Sequence, residues 1–177
     1  MKVFKTFCFV IIAILDYQSV IAAPKIEFQS GDTVLTNCRD IYTKGSFFMH
    51  SLRYIIGEDI FLPTLKKLAT DPKYTYDNFV TTRDVEQLFS QASNQDLKPL
   101  FDYFTRTTEI LDINIKEVAL GKYTIKINNY FMPLPLDVTT ENGTSRMVIP
   151  SEGITVQSAF PPQVDLKNYY IKKISIQ

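Results

Sequence analysis

The segment Asn37-Cys-Arg-Asp-Ile-Tyr-Thr-Lys-Gly-Ser-Phe-Phe-Met-His-Ser-Leu-Arg-Tyr-Ile-Ile-Gly-Glu58 decides how this chain is read. Apolar side chains at Ile41, Phe48, Leu52 and Ile55, flanked by Phe47, Met49 and Ile56, recur at the helical period and predict a buried helix. Asp40 is its expected N-cap and Gly57 its expected stop. Tyr42, Lys44 and Ser46 gather polar groups at the helix start. Gly45 sits among them, and its poor helix propensity predicts close backbone packing there.

After Gly57, Glu58–Thr70 reads as a second helix with Phe61, Leu62, Leu65 and Leu68 inward, Pro63 near its start and Asp71-Pro72 at its end. Tyr74, Tyr76 and Phe79 are the expected anchors of the loop that follows. Thr81 or Thr82 caps a third helix over 83–92, burying Val85, Leu88 and Phe89. Asp96 caps a fourth, with Pro99 in its first turn and Leu97, Leu100, Phe101 and Phe104 inward. Four short antiparallel helices fit this region.

From about Thr107 the period drops to two. Leu111, Ile113 and Ile115 alternate with polar residues, and so do Tyr123, Ile125 and Ile127, with Leu120-Gly121 turning between them. Further strands are expected over 134–138, 146–149, 154–159 and 170–176, with Glu141-Asn142-Gly143-Thr144 as a hairpin turn. The fold class is therefore α+β: a short four-helix segment (37–106) followed by a small antiparallel β-sandwich (107–177).

The 177 residues have 45% hydrophobic content, enough for a substantial core. A formal net charge of +0 with no basic block argues against nucleic acid or an anionic membrane as a partner. Residues 1–22 read as a cleaved signal peptide, with Lys2 and Lys5 before an apolar run that Asp16 interrupts, so the expected location is secreted or periplasmic. That run is too short for a membrane-spanning helix, and no stable membrane anchor is expected. Residues 23–36 read as a linker or edge segment. Cleavage would leave one cysteine, Cys38, read as a small buried hydrophobe.

Tyr42-x-Lys44-Gly45, then Met49-His50-x-Leu52-Arg53 and Gly57-Glu58-Asp59-x-Phe61, resembles the gluzincin zinc aminopeptidases, the family of aminopeptidase N and leukotriene hydrolase. Thr82-x-Asp84 and Asp96-Leu97 with Tyr103 are similar to later motifs of that family, Tyr103 standing where the family has Trp. The resemblance runs from about Asp32 onward. It implies the helical end of a peptidase domain followed by a β-sandwich, with zinc as the family's cofactor. That family binds zinc through His-Glu-x-x-His, two imidazoles one helical turn apart. The sequence contains one histidine, His50, and no Gly-x-Met-Glu-Asn loop, so no cofactor is expected in this chain.

Tyr42 matches the family tyrosine that donates to the oxyanion of the tetrahedral intermediate, and is read as a relic of that site. His50 reads as a packed helix residue, and Arg53 and Lys44 as partners for Asp40 or Glu58. Glu58-Asp59 and Asp84 with Glu86 read as helix N-terminal charges. Asn142-Gly143-Thr144 fits the glycosylation pattern, but its primary reading is a turn. The first functional reading is thus an aminopeptidase-like fragment, inactive alone. The second is a binding module that pairs with a complementary peptidase half or self-associates, covering an exposed helix face. A third, an unrelated enzyme using Cys38, Tyr42 and His50, lacks anything to orient a base onto a nucleophile.

Overall fold

The computed structural model describes residues 37–75 and 78–177, with side chains from Thr43 onward. The expected signal peptide, the 23–36 linker, Tyr76, and the side chains of Cys38, Asp40, Ile41 and Tyr42 lie outside the described residues. The chain divides into two compact units between Ala92 and Ser93.

The first unit contains α1 (Asn37–Ile56), α2 (Glu58–Thr70) and α3 (Thr82–Ser93), whose last residue crosses the division. Helix α1 begins three residues before Asp40, so Asp40 lies inside the helix and does not cap it. Phe48, Ser51, Leu52 and Ile56 are buried, whereas Ile55 is only half-buried, so the inward stripe is displaced from the expected one. Ser51 is tolerated there because its hydroxyl donates to the Phe47 carbonyl at 3.0 Å. Gly45 is exposed, and nothing among the described residues lies within 4 Å of a Cβ built on it, which corrects the expectation of close backbone packing.

Gly57 separates α1 from α2 as expected. Its φ of +85° suits glycine, its N–H donates to Arg53 O and its carbonyl accepts from Phe61 N–H, both at 2.9 Å. Helix α2 buries Phe61, Thr64, Leu65 and Leu68, but Leu62 points to solvent. Pro63 is the sixth residue of α2, past the first turn. Its missing N–H would have bonded the Asp59 carbonyl, and both residues are exposed, which leaves that oxygen to water. Asp71, extended ahead of Pro72, ends the helix. Phe79 is 98% exposed and anchors nothing.

Helix α3 starts with a capping box. Asp84 N–H donates to the Thr81 hydroxyl at 3.3 Å, and Thr81 N–H donates back to Asp84 Oδ2 at 2.9 Å. The Thr81 hydroxyl in turn donates to Asp84 Oδ2 at 2.5 Å, and this bond first, then that of the Thr81 N–H, holds the Asp84 carboxyl below its usual range. Asp84 is therefore the helix N-terminal charge expected. Glu86 is not, because it is buried beside Leu88 and Phe89. The Phe89 ring lies 5.5 Å from that of Phe61.

The second unit contains α4 (Lys98–Arg106) and seven strands. Leu97 occupies the N-cap position of α4, while the Asp96 carboxylate accepts the Lys98 N–H at 3.0 Å. Leu97, Leu100, Phe101 and Phe104 are all buried, as expected. Strands β1 (Leu111–Ala119), β2 (Lys122–Ile127), β5 (Ile154–Gln157) and β7 (Lys172–Ile176) form one sheet in the order β5-β2-β1-β7. Strands β3 (Leu134–Thr140), β4 (Gly143–Ile149) and β6 (Gln163–Val164) form a second, ordered β4-β3-β6. The fold is α+β, as the sequence indicated.

Leu111, Ile113, Ile115, Tyr123, Ile125 and Ile127 of the first sheet are buried, with Leu134, Leu136, Val138 and Ile149 of the second. The four residues joining β4 to β5 in this unit end in Gly153, at φ +87°, where a Cβ would stand 2.7 Å from the Ile125 carbonyl. Only glycine fits that crossing between the sheets. Two features differ from expectation. The two-residue β6 carries too little pattern to be seen in the sequence. Strand β7 runs parallel to β1, pairing Leu111 with Lys172 and Ile115 with Ile176, so the larger sheet is mixed and not purely antiparallel.

This register puts Ile174 and Ile176 on the same face as Ile113 and Ile115, yet they are 43% and 61% exposed at the sheet edge. Burial sets the cost of truncation. Ile113→Ala should therefore cost about 2–5 kcal/mol in urea unfolding, and Ile176→Ala well under half of that.

Candidate functional site

Tyr42 lies near the start of α1, and its helical backbone sets what it can meet. At 1.5 Å rise per residue, His50 is about 12 Å further along the axis, and Cys38 and His50 are about 18 Å apart. One turn separates Cys38 from Tyr42, but the histidine is out of reach of Cys38. The helix does not assemble a nucleophile and base from these residues. His50 is half-buried in mid-helix. Arg53 does pair with Glu58, its Nε donating to Oε1 at 3.0 Å. Both side chains are well exposed, and such pairs contribute little. Ser46 donates to its own helix at the Thr43 carbonyl, 2.9 Å away.

A highly connected polar centre lies in the second unit, and sequence reading missed it. Asp165 follows β6 with a left-handed backbone, φ +48°, and Lys172 opens β7. Their side chains are 0% and 7% exposed, and Lys172 Nζ lies 2.7 Å from Asp165 Oδ2. The ammonium's other donors reach Asp165 O and Asn168 Oδ1, both at 3.0 Å. The carboxylate also accepts N–H groups from Tyr169 at 2.8 Å and Tyr170 at 3.1 Å. Three acceptors saturate an ammonium. This centre therefore has no donor left for substrate and is structural. The signal was Asp165 and Asn168, both residue types that tolerate a left-handed backbone, followed by Lys172.

Tyr103 fills its aromatic position by packing edge-on against Phe104 at 5.0 Å and Tyr130 at 5.1 Å. Phe104 in turn stacks on Tyr170 at 6.1 Å. The Tyr103 hydroxyl oxygen is buried without a well-formed hydrogen bond among the described residues. Nearby Asn129 has committed its amide to Asp112 N–H, the Ile110 carbonyl and Glu109. Burial, with the Glu109 charge adding to it and a weak contact to Asn129 opposing, pushes the Tyr103 phenol up to about 12. Burial, then Tyr103 itself, pushes Tyr130 up to about 12. Both phenols are neutral at physiological pH, so neither serves as a base or a phenolate nucleophile.

Among the described residues no group of three or more His, Cys, Asp or Glu side chains is placed to hold a metal ion. No described helix is long and apolar enough to cross a membrane.

Two outcomes follow from this geometry. Lys172→Ala, which leaves Asp165 buried without its counter-charge, should cost about 3–5 kcal/mol in urea unfolding. The two phenols ionise at a higher pH folded than unfolded. The stability they contribute is complete below pH 10 and is lost as pH rises toward about 12. Tyr103→Phe should flatten the fall in stability across that interval, followed by circular dichroism.

No family model matches the chain. In sequence it is similar to aminopeptidase 2, mitochondrial, of Saccharomyces cerevisiae, being 24% identical over 124 residues, or 63% of this chain and 13% of the yeast protein. In structure it is similar to aminopeptidase A of Legionella pneumophila, with a TM-score of 0.54 and 19% identity over 76% of this chain and 17% of that one. At that identity the structural likeness is one of fold. The chain spans less than a fifth of the length of either protein, and over that segment it is aminopeptidase-like.

Proposed function

We propose that the chain is a segment of the gluzincin zinc-aminopeptidase type, carrying the last helices of a peptidase domain and the sandwich after it, and that these 177 residues do not hydrolyse peptides alone. The supporting observation is likeness to two aminopeptidases over a minor share of their length, in a sequence with a single histidine. His-Glu-x-x-His needs two imidazoles one turn apart. The residues present do not supply that donor set, so zinc does not fit this chain by itself and no step is assigned through it. Tyr42 is then the counterpart of an oxyanion donor with no activated water to serve. Residues 1–22 would direct the chain to secretion.

The exposed Ile174 and Ile176 favour a second reading, a binding module. Their face continues the core of the larger sheet, and an apolar face left in water favours association. Its partner would be a complementary peptidase half or a second copy of the chain.

Zinc content and hydrolysis of aminoacyl-nitroanilides, measured for the purified mature protein, test the proposal. No zinc and no turnover are expected, with Tyr42→Phe indistinguishable from the parent. Turnover that appears only on mixing with a complementary half, and is lost with Tyr42→Phe, would support the pairing form of the second reading. Stoichiometric zinc with Tyr42-dependent turnover by the chain alone would overturn the claim of inactivity.

A further inference from the structure

The 177 residues contain one Asn-x-Ser/Thr triplet, Asn142-Gly143-Thr144. The pattern has a chemical basis: the Asn side chain supplies the amide nitrogen, and the hydroxyl two residues later completes the acceptor pattern. In the structure the triplet serves as the turn expected of it, at the tip of the β3–β4 hairpin. Thr140 pairs with Gly143, leaving Glu141 and Asn142 as the connecting residues. Residues 141–146 are all exposed.

The turn is held without the Asn142 carboxamide. Asn142 N–H donates to the Thr140 hydroxyl at 3.3 Å, and the hydroxyls of Thr139 and Thr144 meet across the ladder at 2.8 Å. The carboxamide itself makes no hydrogen bond among the described residues, so a substituent on Nδ2 displaces no such bond. We infer that Asn142 is an N-glycosylation acceptor and that this hairpin tip carries the chain's one N-linked glycan. The inference rests on the secretory reading of residues 1–22, because the transfer takes place in the lumen of the secretory pathway.

The donor is a lipid-linked diphospho-oligosaccharide. Asn142 Nδ2 bonds to the anomeric carbon of the reducing-end sugar as the bond from that carbon to the diphosphate oxygen breaks. The lipid diphosphate leaves, and the amide proton passes to a base of the transferase. A consequence follows for the sheet. Strand β4 is its outer strand, paired only with β3, and a glycan beside its first residue obstructs addition of another strand.

The test expresses the full chain in a eukaryotic secretory cell. It reads gel mobility and the mass of the Asn142 peptide before and after peptide N-glycosidase. One slower-migrating form should collapse on digestion, with Asn142 converted to Asp. Asn142→Gln and Thr144→Ala should abolish the shift, and Thr144→Ser should retain it. Protein recovered from the medium with Asn142 unmodified would overturn the site and leave the secretory reading standing. Unmodified protein held in the cytosol would overturn both.

Discussion

The ammonium of Lys172, gripped by three oxygens of the 165–168 corner, is the interaction on which the sandwich unit depends. Lys172 is the first residue of β7, and Asp165 directly follows β6. Their pairing therefore joins the end of the smaller sheet to the start of a strand in the larger one. Asp165 N–H donates to the Asp137 carbonyl at 2.8 Å, and the Tyr170 hydroxyl to the Pro135 carbonyl at 2.8 Å, so both also tie the corner to β3. A parallel strand pair cannot be closed by a tight turn. Here the β1–β7 register is supported by this corner and by two contacts on the outer face, Lys173 with Asp112 and Asn114 with Ser175. A buried ion pair adds little net stability compared with apolar packing of the same volume. Its contribution here is geometric.

The polar centres resolved in detail share one property. Asp165 and Lys172 satisfy one another, Asp84 is committed to the α3 cap, and the phenols of Tyr103 and Tyr130 stay protonated. Each supports the fold, and none offers the base and nucleophile that hydrolysis requires. The structural likeness to the Legionella aminopeptidase is one of architecture, helices followed by a two-sheet unit. An architecture by itself does not fix a function, which lives in the sites built on it.

Much of the fold was legible because burial imposes periodicity. The inward residues of α4 and of β1 and β2 could be named in advance, since a half-buried helix or strand must repeat its apolar residues at its own period. Capping at Thr81 and the stop at Gly57 were equally local. Misreadings arose where neighbours decide the outcome. Leu62 and Phe79 are apolar yet exposed, and Gly45 is a helix residue with open space around it. Glu86 is a carboxylate buried within its helix. The Asp165–Lys172 centre escaped because its residues look like ordinary turn formers until a second sheet excludes water from them.

The sequence by itself determined the order and type of the elements, the helix-to-strand change near Thr107 and the absence of a second histidine, because period, capping and composition are properties of the local chain. Only the tertiary structure decided that β7 joins β1 in parallel and that β6 exists at all. It also decided that Gly153 passes so close to β2 that a Cβ there would stand 2.7 Å from the Ile125 carbonyl, and that an acid and a lysine seven residues apart become a buried pair. An alternating strand shows the same face pattern whether its partner runs up or down. The choice is made by contacts between residues some sixty positions apart, and no local stretch of sequence contains them.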